Sequence, residues 1–260
     1  MKFFLLACCC FITSDLLAQS PKAIEADLLK SYRKIDYWYQ RTYDTTSAKF
    51  AAGDSLSKAN NVFGKKLKDY TTRYPSTIIY PFNSLIKEHL DISSSIDGLF
   101  RIYSWDTYLG GTEHDFRNVL QYKSNSKTNS ILELDTSYKN DDNYVFYYSK
   151  IYTYKRNNKT YYLGVYNGIF SSHDLGEGIR VFSINNGKLA NEKLIKTQSG
   201  LHNELSYYWD YFSAKAKKGD ITFDPLTGAI SLPVVVENGK VTNKRILYKF
   251  TGQYFERVKN

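Results

Sequence analysis

The sequence predicts an α+β protein in which N-terminal helices pack on a large, mainly antiparallel β-sheet meander. Three observations carry this. Apolar residues recur at three-and-four spacing before residue 92, runs rich in Tyr, Val, Ile and Phe dominate after residue 93, and short Asn, Gly or Pro turns join those runs. Parallel pairing would need longer crossovers, usually helical, and the β-rich part offers none.

The chain opens with one charge at Lys2, an apolar run from Phe3 to Ile12, and small or polar residues near Ala18 and Gln19. That is the layout of a secretory signal peptide over residues 1–18, with cleavage expected after Ala18. A second reading takes Leu5 to Cys8 as a lipobox, with Cys8 becoming a lipidated N-terminus. The run falls short of the roughly 20 apolar residues a spanning helix needs, so an exported protein of the periplasm or cell exterior is expected, with no transmembrane segment. Cys8, Cys9 and Cys10 all fall in this segment, so disulfides and thiol chemistry are not expected in the remainder.

Residues 19–92 read as helical. Ile24, Leu28, Tyr32, Ile35, Tyr39 and Tyr43 line one face of a first helix, and Glu25, Lys30, Arg33 and Lys34 line the other. A second helix is expected after Gly53, capped by Asp54 or Ser55, with Leu56, Ala59, Phe63, Leu67 and Tyr70 as its stripe. A short third helix is expected from Pro81 to Leu90.

Residues 93–260 read as a β-rich region continuous with the helices as one domain. Asp97-Gly98 marks the change of period, and strands are expected at 100–105, 116–122, 130–134, 144–154, 160–166, 179–184, 205–212, 221–223, 229–236 and 245–250, the last with a continuation to Val258. The turns "RNNK", "NNGK", "DPLTG" and "ENGK" suit antiparallel neighbours. Turn spacing also admits a propeller, but no motif repeats at a fixed period.

Net charge is +9, and the basic residues are dispersed, with short groups at Lys65, Lys66 and Lys68 and at Lys215, Lys217 and Lys218. Such groups are solvated faces, so nucleic acid is not the expected partner and an anionic envelope polymer is the more natural one. No G-x-S-x-G, H-E-x-x-H, Walker A, C-x-x-C or dinucleotide glycine motif occurs, and no cofactor is expected.

Two features could carry function. In the first, three histidines each have an acid nearby: His114 beside Glu113 and Asp115, His173 beside Asp174, and His202 before Glu204. Converging loops could bring His114, His173, Asp174 and His202 together as metal ligands, or Asp106, Glu113 and His114 together for acid–base work. Turn chemistry accounts for the same residues, with Asp106 bonding nearby amides and Trp105 in the core. The second feature is the content of 24 Tyr, 15 Phe and 3 Trp. Tyr144, Phe146, Tyr148, Tyr152 and Tyr154 share one strand parity, so Tyr148, Tyr152 and Tyr161 are candidates for an exposed platform that binds sugar rings or peptide. Asp141 and Asp142 lack the alternating pattern of a calcium loop.

The stretches "FRIYSWDTYLGGTEHDF", "KTYYLGVYNG" and "SLPVVVENGKVTNKRILYKFTGQYFERV" together resemble a group of uncharacterised exported proteins of Gram-negative bacteria. The resemblance runs from about Pro75 and implies export and a shared domain, and it transfers no catalytic residue. The functional expectation is a non-catalytic binding module for an envelope component, glycan or protein partner. The alternative is a hydrolase built from the loops around His114, His173 and His202.

Overall fold

A computed structural model describes residues 19–44, 48–133, 146–212 and 220–258. The expected signal segment, the Asp141-Asp142 loop and the lysines at 215–218 lie outside the described residues. The fold is α+β, with helices against three mainly antiparallel sheets.

Helix α1 (Pro21–Arg41) begins where Ser20 Oγ accepts the Ala23 N–H at 3.2 Å and Pro21 supplies a preset first turn. Its predicted stripe, Ile24, Leu28, Tyr32 and Ile35, is buried. Helix α2 (Ala48–Arg73) starts earlier than expected and runs straight through Gly53, where a side chain would meet open space. Gly64 has the opposite role: a Cβ there would sit 3.3 Å from Trp105 and Leu132, so its absence lets α2 approach the sheet closely.

Glu25, expected on the exposed face of α1, is buried. It accepts the Tyr80 hydroxyl at 3.0 Å and the Ser84 N–H at 2.6 Å. Helix α3 (Asn83–Lys87) is shorter than predicted, and its N-cap Phe82 (φ 51°) has no side-chain acceptor. Glu25 fills that role from another helix, which is why a carboxylate is tolerated inside.

The strands are β1 (Asp91–Ser94), β2 (Phe100–Asp106), β3 (Phe116–Ser124), β4 (Lys127–Glu133), β5 (Tyr147–Arg156), β6 (Lys159–Ile169), β7 (Asp174–Asn185), β8 (Lys188–Asn191), β9 (Ile195–Thr197), β10 (Gly200–His202), β11 (Glu204–Asp210), β12 (Thr222–Asp224), β13 (Ala229–Val235), β14 (Val241–Phe250) and β15 (Phe255–Arg257). They form three sheets, not one meander. The first has order β1-β2-β3-β4, the second β11-β7-β6-β5 with β8 beside β7, and the third β10-β9-β15-β14-β13-β12.

Four layers result. Tyr103, Trp105 and Val119 face the helices, while Phe100, Ile102, Leu120 and Tyr122 on the other side of the first sheet meet Tyr148, Tyr162, Tyr166 and Phe182 of the second. The far side of the second sheet, with Leu163, Val165, Ile179 and Val181, packs on Ile195, Phe223, Ile230, Leu232 and Phe255 of the third. The first and second sheets are thus covered on both faces, and β2 and β6 bury nearly every side chain.

That burial overturns the exposed tyrosine platform. Tyr148 is 1 % and Tyr161 9 % exposed, and Tyr152 is half-buried. A β-bulge between Tyr148 and Lys150 also breaks the parity of β5: Tyr148 joins the core shared with the first sheet, and Tyr152 and Tyr154 join the opposite one. At the bulge, Ser104 Oγ takes the Tyr148 N–H and Ser93 Oγ donates to its carbonyl, each at 3.0 Å, so the extra residue leaves no buried polar group of Tyr148 unsatisfied.

Candidate functional site

The loops β2–β3, β6–β7 and the end of β11 meet at one end of the sheets. The His114 N–H donates to the Ile169 carbonyl at 2.9 Å, and the Tyr211 N–H to the His173 carbonyl at 2.8 Å, which ties the three segments together.

The β2–β3 loop is built by short polar side chains reaching local backbone. Asp106 Oδ1 accepts the Tyr108 N–H at 2.8 Å, while Thr107 Oγ1 donates to Asp115 and accepts the Leu109 N–H. A Cβ on Gly110 would lie 1.9 Å from the Glu113 carbonyl, so only glycine lets the loop close on itself. Its floor is fixed by Asn60 of α2, which accepts the Trp105 indole N–H at 3.0 Å and donates to the Thr107 carbonyl at 2.9 Å.

This loop brings two of the three acid–base candidates together. His114 Nδ1 lies 2.5 Å from Asp106 Oδ2, the imidazole is part-exposed and the carboxylate mostly buried. Asp106 therefore orients the ring and fixes which nitrogen faces it, leaving Nε2 for proton exchange. Glu113 points outward as an exposed residue and has no hydrogen bond to either partner in the described network.

The other histidines do not complete a metal site. His173 is in the neighbouring loop but packs at a tilt against Phe212 at 4.4 Å, and Asp174 is engaged with its own turn through Ser171 Oγ at 2.9 Å. His202 hydrogen-bonds Ser199 at 2.9 Å in a different hairpin. It precedes β11, whose Glu204 pairs with Arg180 while Asp210 pairs with Asp174, so roughly 20 Å of strand separates it from His173. Among the described residues no three His, Cys, Asp or Glu side chains are grouped to hold a metal ion.

No protein family, curated protein or solved structure matches this chain. The site is accordingly read from its own chemistry. Its dominant feature is an array of rings laid on glycines. Gly168 and Gly176 are cross-strand partners, and a Cβ on either would come within 2.8 Å of Phe146 or Phe170. Phe170 then meets Phe146 at 5.9 Å and Tyr208 at 5.3 Å, and a Cβ on Gly178 would strike Tyr166. The array ends in exposed rings: Tyr208 is 57 %, Tyr211 59 % and Phe212 60 % exposed.

On the other side of the dyad, Tyr108 stacks on Tyr39 at 4.3 Å, and Tyr39 shares a 2.6 Å hydrogen bond with Tyr43. That bond first, and burial second, push the Tyr39 hydroxyl up to about 12, so it stays protonated at neutral pH. Sequence reasoning named the His–Asp loop but missed the ring array. The legible signal was the glycine spacing of "YYLGVYNG" and "GEG", in which small residues alternate with large ones along paired strands.

Proposed function

We propose that the protein is an exported, non-catalytic binding module that holds a glycan of the cell envelope against the ring-lined loop end. The supporting observation is the exposure of Tyr208, Tyr211 and Phe212 beside His173, next to a loop that offers the Asp106–His114 pair. Flat rings match the apolar faces of sugars, and an imidazole–carboxylate pair supplies a donor and an acceptor for sugar hydroxyls. Large exposed rings clustered in one patch are unfavourable in water unless they serve contact.

The test is affinity electrophoresis through gels containing envelope polysaccharides, repeated with a Tyr211→Ala/Phe212→Ala variant. Binding is expected to weaken about tenfold per ring, while the unfolding midpoint stays unchanged because both rings are exposed. Equal retardation of wild type and variant on every polysaccharide would remove the reading.

The Asp106–His114 pair favours one second reading, a hydrolase in which His114 takes a proton from water or a substrate hydroxyl. If so, His114→Gln lowers turnover of a panel of aryl esters and glycosides by roughly 10²–10⁴-fold. Turnover that is absent in the wild type, or retained in the variant, rejects catalysis at this pair.

A further inference from the structure

The end of the molecule opposite the ring-lined loops carries bare aliphatic side chains among exposed bases. Strand β6 runs 11 residues from Lys159 at this end to Ile169, whose carbonyl takes the His114 N–H, so roughly 35 Å of strand separates the two ends. Several turns gather here. The Ile96 N–H in the β1–β2 turn donates to Thr153 Oγ1 near the end of β5 at 3.2 Å, and the Lys123 N–H donates to the Leu99 carbonyl at 2.8 Å. A Cβ on Gly187, in the β7–β8 turn, would lie 3.7 Å from Ser124 at the end of β3. The β12–β13 turn closes over β5 from its other face, where a Cβ on Gly228 would strike the Tyr154 hydroxyl. Thr128 Oγ1 donates to the Thr72 carbonyl at 2.9 Å, which adds the C-terminus of α2.

Polar residues build these turns, yet aliphatic ones occupy the tips. Asp97 accepts the Ser95 hydroxyl at 2.7 Å and the Leu99 N–H at 3.1 Å, and Asp224 accepts the Leu226 N–H at 2.9 Å and the Thr227 hydroxyl at 2.6 Å. Neither turn uses the side chain at its tip, but Ile96 is 93 % and Leu226 95 % exposed. A Cβ on Gly98 would lie 3.6 Å from Ile79, so the exposed Ile79 and Leu99 extend the apolar surface around Ile96. Exposed aliphatics scattered singly are ordinary, whereas four at the tips of one end make a surface that water solvates poorly.

The charges at this end have one sign. Arg73, Lys127, Lys155, Arg156 and Lys188 are exposed, and none has an ion-pair partner among the described residues. The carboxylates nearby are engaged within the fold: Asp97 also accepts the Tyr162 hydroxyl at 3.0 Å, Asp224 serves its own turn, and Glu192 holds Lys159 at 2.9 Å. A soluble polyanion would use the bases and leave the aliphatic tips in water. A bilayer with anionic headgroups takes both, since tips enter the headgroup boundary while bases meet phosphates.

We propose that this end docks on an anionic lipid bilayer, with Ile79, Ile96, Leu99 and Leu226 inserted and the surrounding Lys and Arg side chains on lipid phosphates. The ring-lined end then faces away from the membrane. The two surfaces are separate, and docking stands whether or not a glycan binds at the other end.

The experiment measures amide hydrogen exchange on the whole chain, so the apolar run from Phe3 to Ile12 is common to every variant. Three additions are compared: vesicles of equal parts phosphatidylglycerol and phosphatidylethanolamine, vesicles of phosphatidylcholine, and a soluble anionic polysaccharide. The anionic vesicles are expected to slow exchange over residues 95–99 and 225–228 about tenfold or more, leaving residues 208–212 unchanged. Ile96→Asp/Leu226→Asp removes the inserted side chains and Lys127→Glu/Lys155→Glu/Lys188→Glu the charge, so each should abolish the slowing. All five side chains are exposed, so the unfolding midpoint of either variant should match the wild type. Four outcomes overturn the proposal: no slowing on anionic vesicles, equal slowing on phosphatidylcholine, slowing that survives either variant, or equal slowing by the polysaccharide.

Discussion

Replacing Trp105 by alanine is expected to destabilise the protein by about 3–5 kcal/mol, the range for deleting a fully buried large ring. Trp105 has no exposed surface, meets Phe63 edge-on at 5.0 Å and fills the space left by Gly64 on α2. Its loss would open a cavity that two rigid layers cannot close, and it would strand Asn60 Oδ1, the acceptor of the indole N–H. Because Asn60 also holds the Thr107 carbonyl, the defect should spread to the loop carrying Asp106 and His114. Urea unfolding followed by circular dichroism measures the first effect. Exchange of the Tyr108 amide, which Asp106 accepts, reads the second. A Trp105→Phe variant keeps most of the ring but no N–H, so it should lose part of the stability and still loosen the loop. An unchanged midpoint in the alanine variant would show that α2 is not anchored there.

Arg180→Met should cost a comparable ~3–5 kcal/mol, and with a distinctive pH dependence. Arg180 donates to Glu204 at 2.6 Å at the edge between the first and second sheets, near Glu133 and against the Tyr166 ring. Burial opposes its charge, but the carboxylates of Glu204 and Glu133 outweigh that and hold the guanidinium protonated. Burial likewise pushes the Glu133 carboxyl up, although Arg180 and Asn118 pull it down. A carboxylate with a raised folded pKa favours folding when protonated and loses that contribution as pH rises through the folded value. Removing Arg180 removes the main charge opposing that rise. The variant should therefore be worst at neutral pH and recover part of its deficit at mildly acid pH, as the Glu133 carboxyl takes up its proton. Equal deficits at the two pH values would mean that lost packing against Tyr166, not unpaired charge, carries the effect.

Helix stripes were the most legible part of the chain, because Ile24, Leu28, Tyr32 and Ile35, and then Leu56, Ala59, Phe63 and Leu67, face a core on one side only. Trp105 and Phe116 lie on the paired strands β2 and β3 with Trp105 in the core, but β1, which the sequence did not reveal, forms an earlier hairpin with β2. Stacking of three sheets was not legible. Alternation reports which face is wet, and a strand such as β6, covered on both faces, has no wet face to report. The bulge at Tyr148 was hidden for a related reason: its signal is the pair of serines, Ser93 and Ser104, that take the displaced backbone from a strand far away in sequence. Part of the site could be read, since Asp106 and His114 are separated by one loop. The ring array could not, since Phe146 just before β5, Phe170 just after β6 and Tyr208 in β11 are far apart in sequence and meet only over paired glycines.

The pairing of β15 with β9 has a consequence for how the chain folds. It is the parallel pair of the third sheet, joining positions 60 residues apart, and Phe255 carries the buried ring that closes the core beneath it. Neighbouring hairpins join residues close in sequence, but this clasp must first bring distant strands together and so carries a larger loop-closure cost. Completion of the third sheet therefore waits on a long-range contact that no local hairpin can supply.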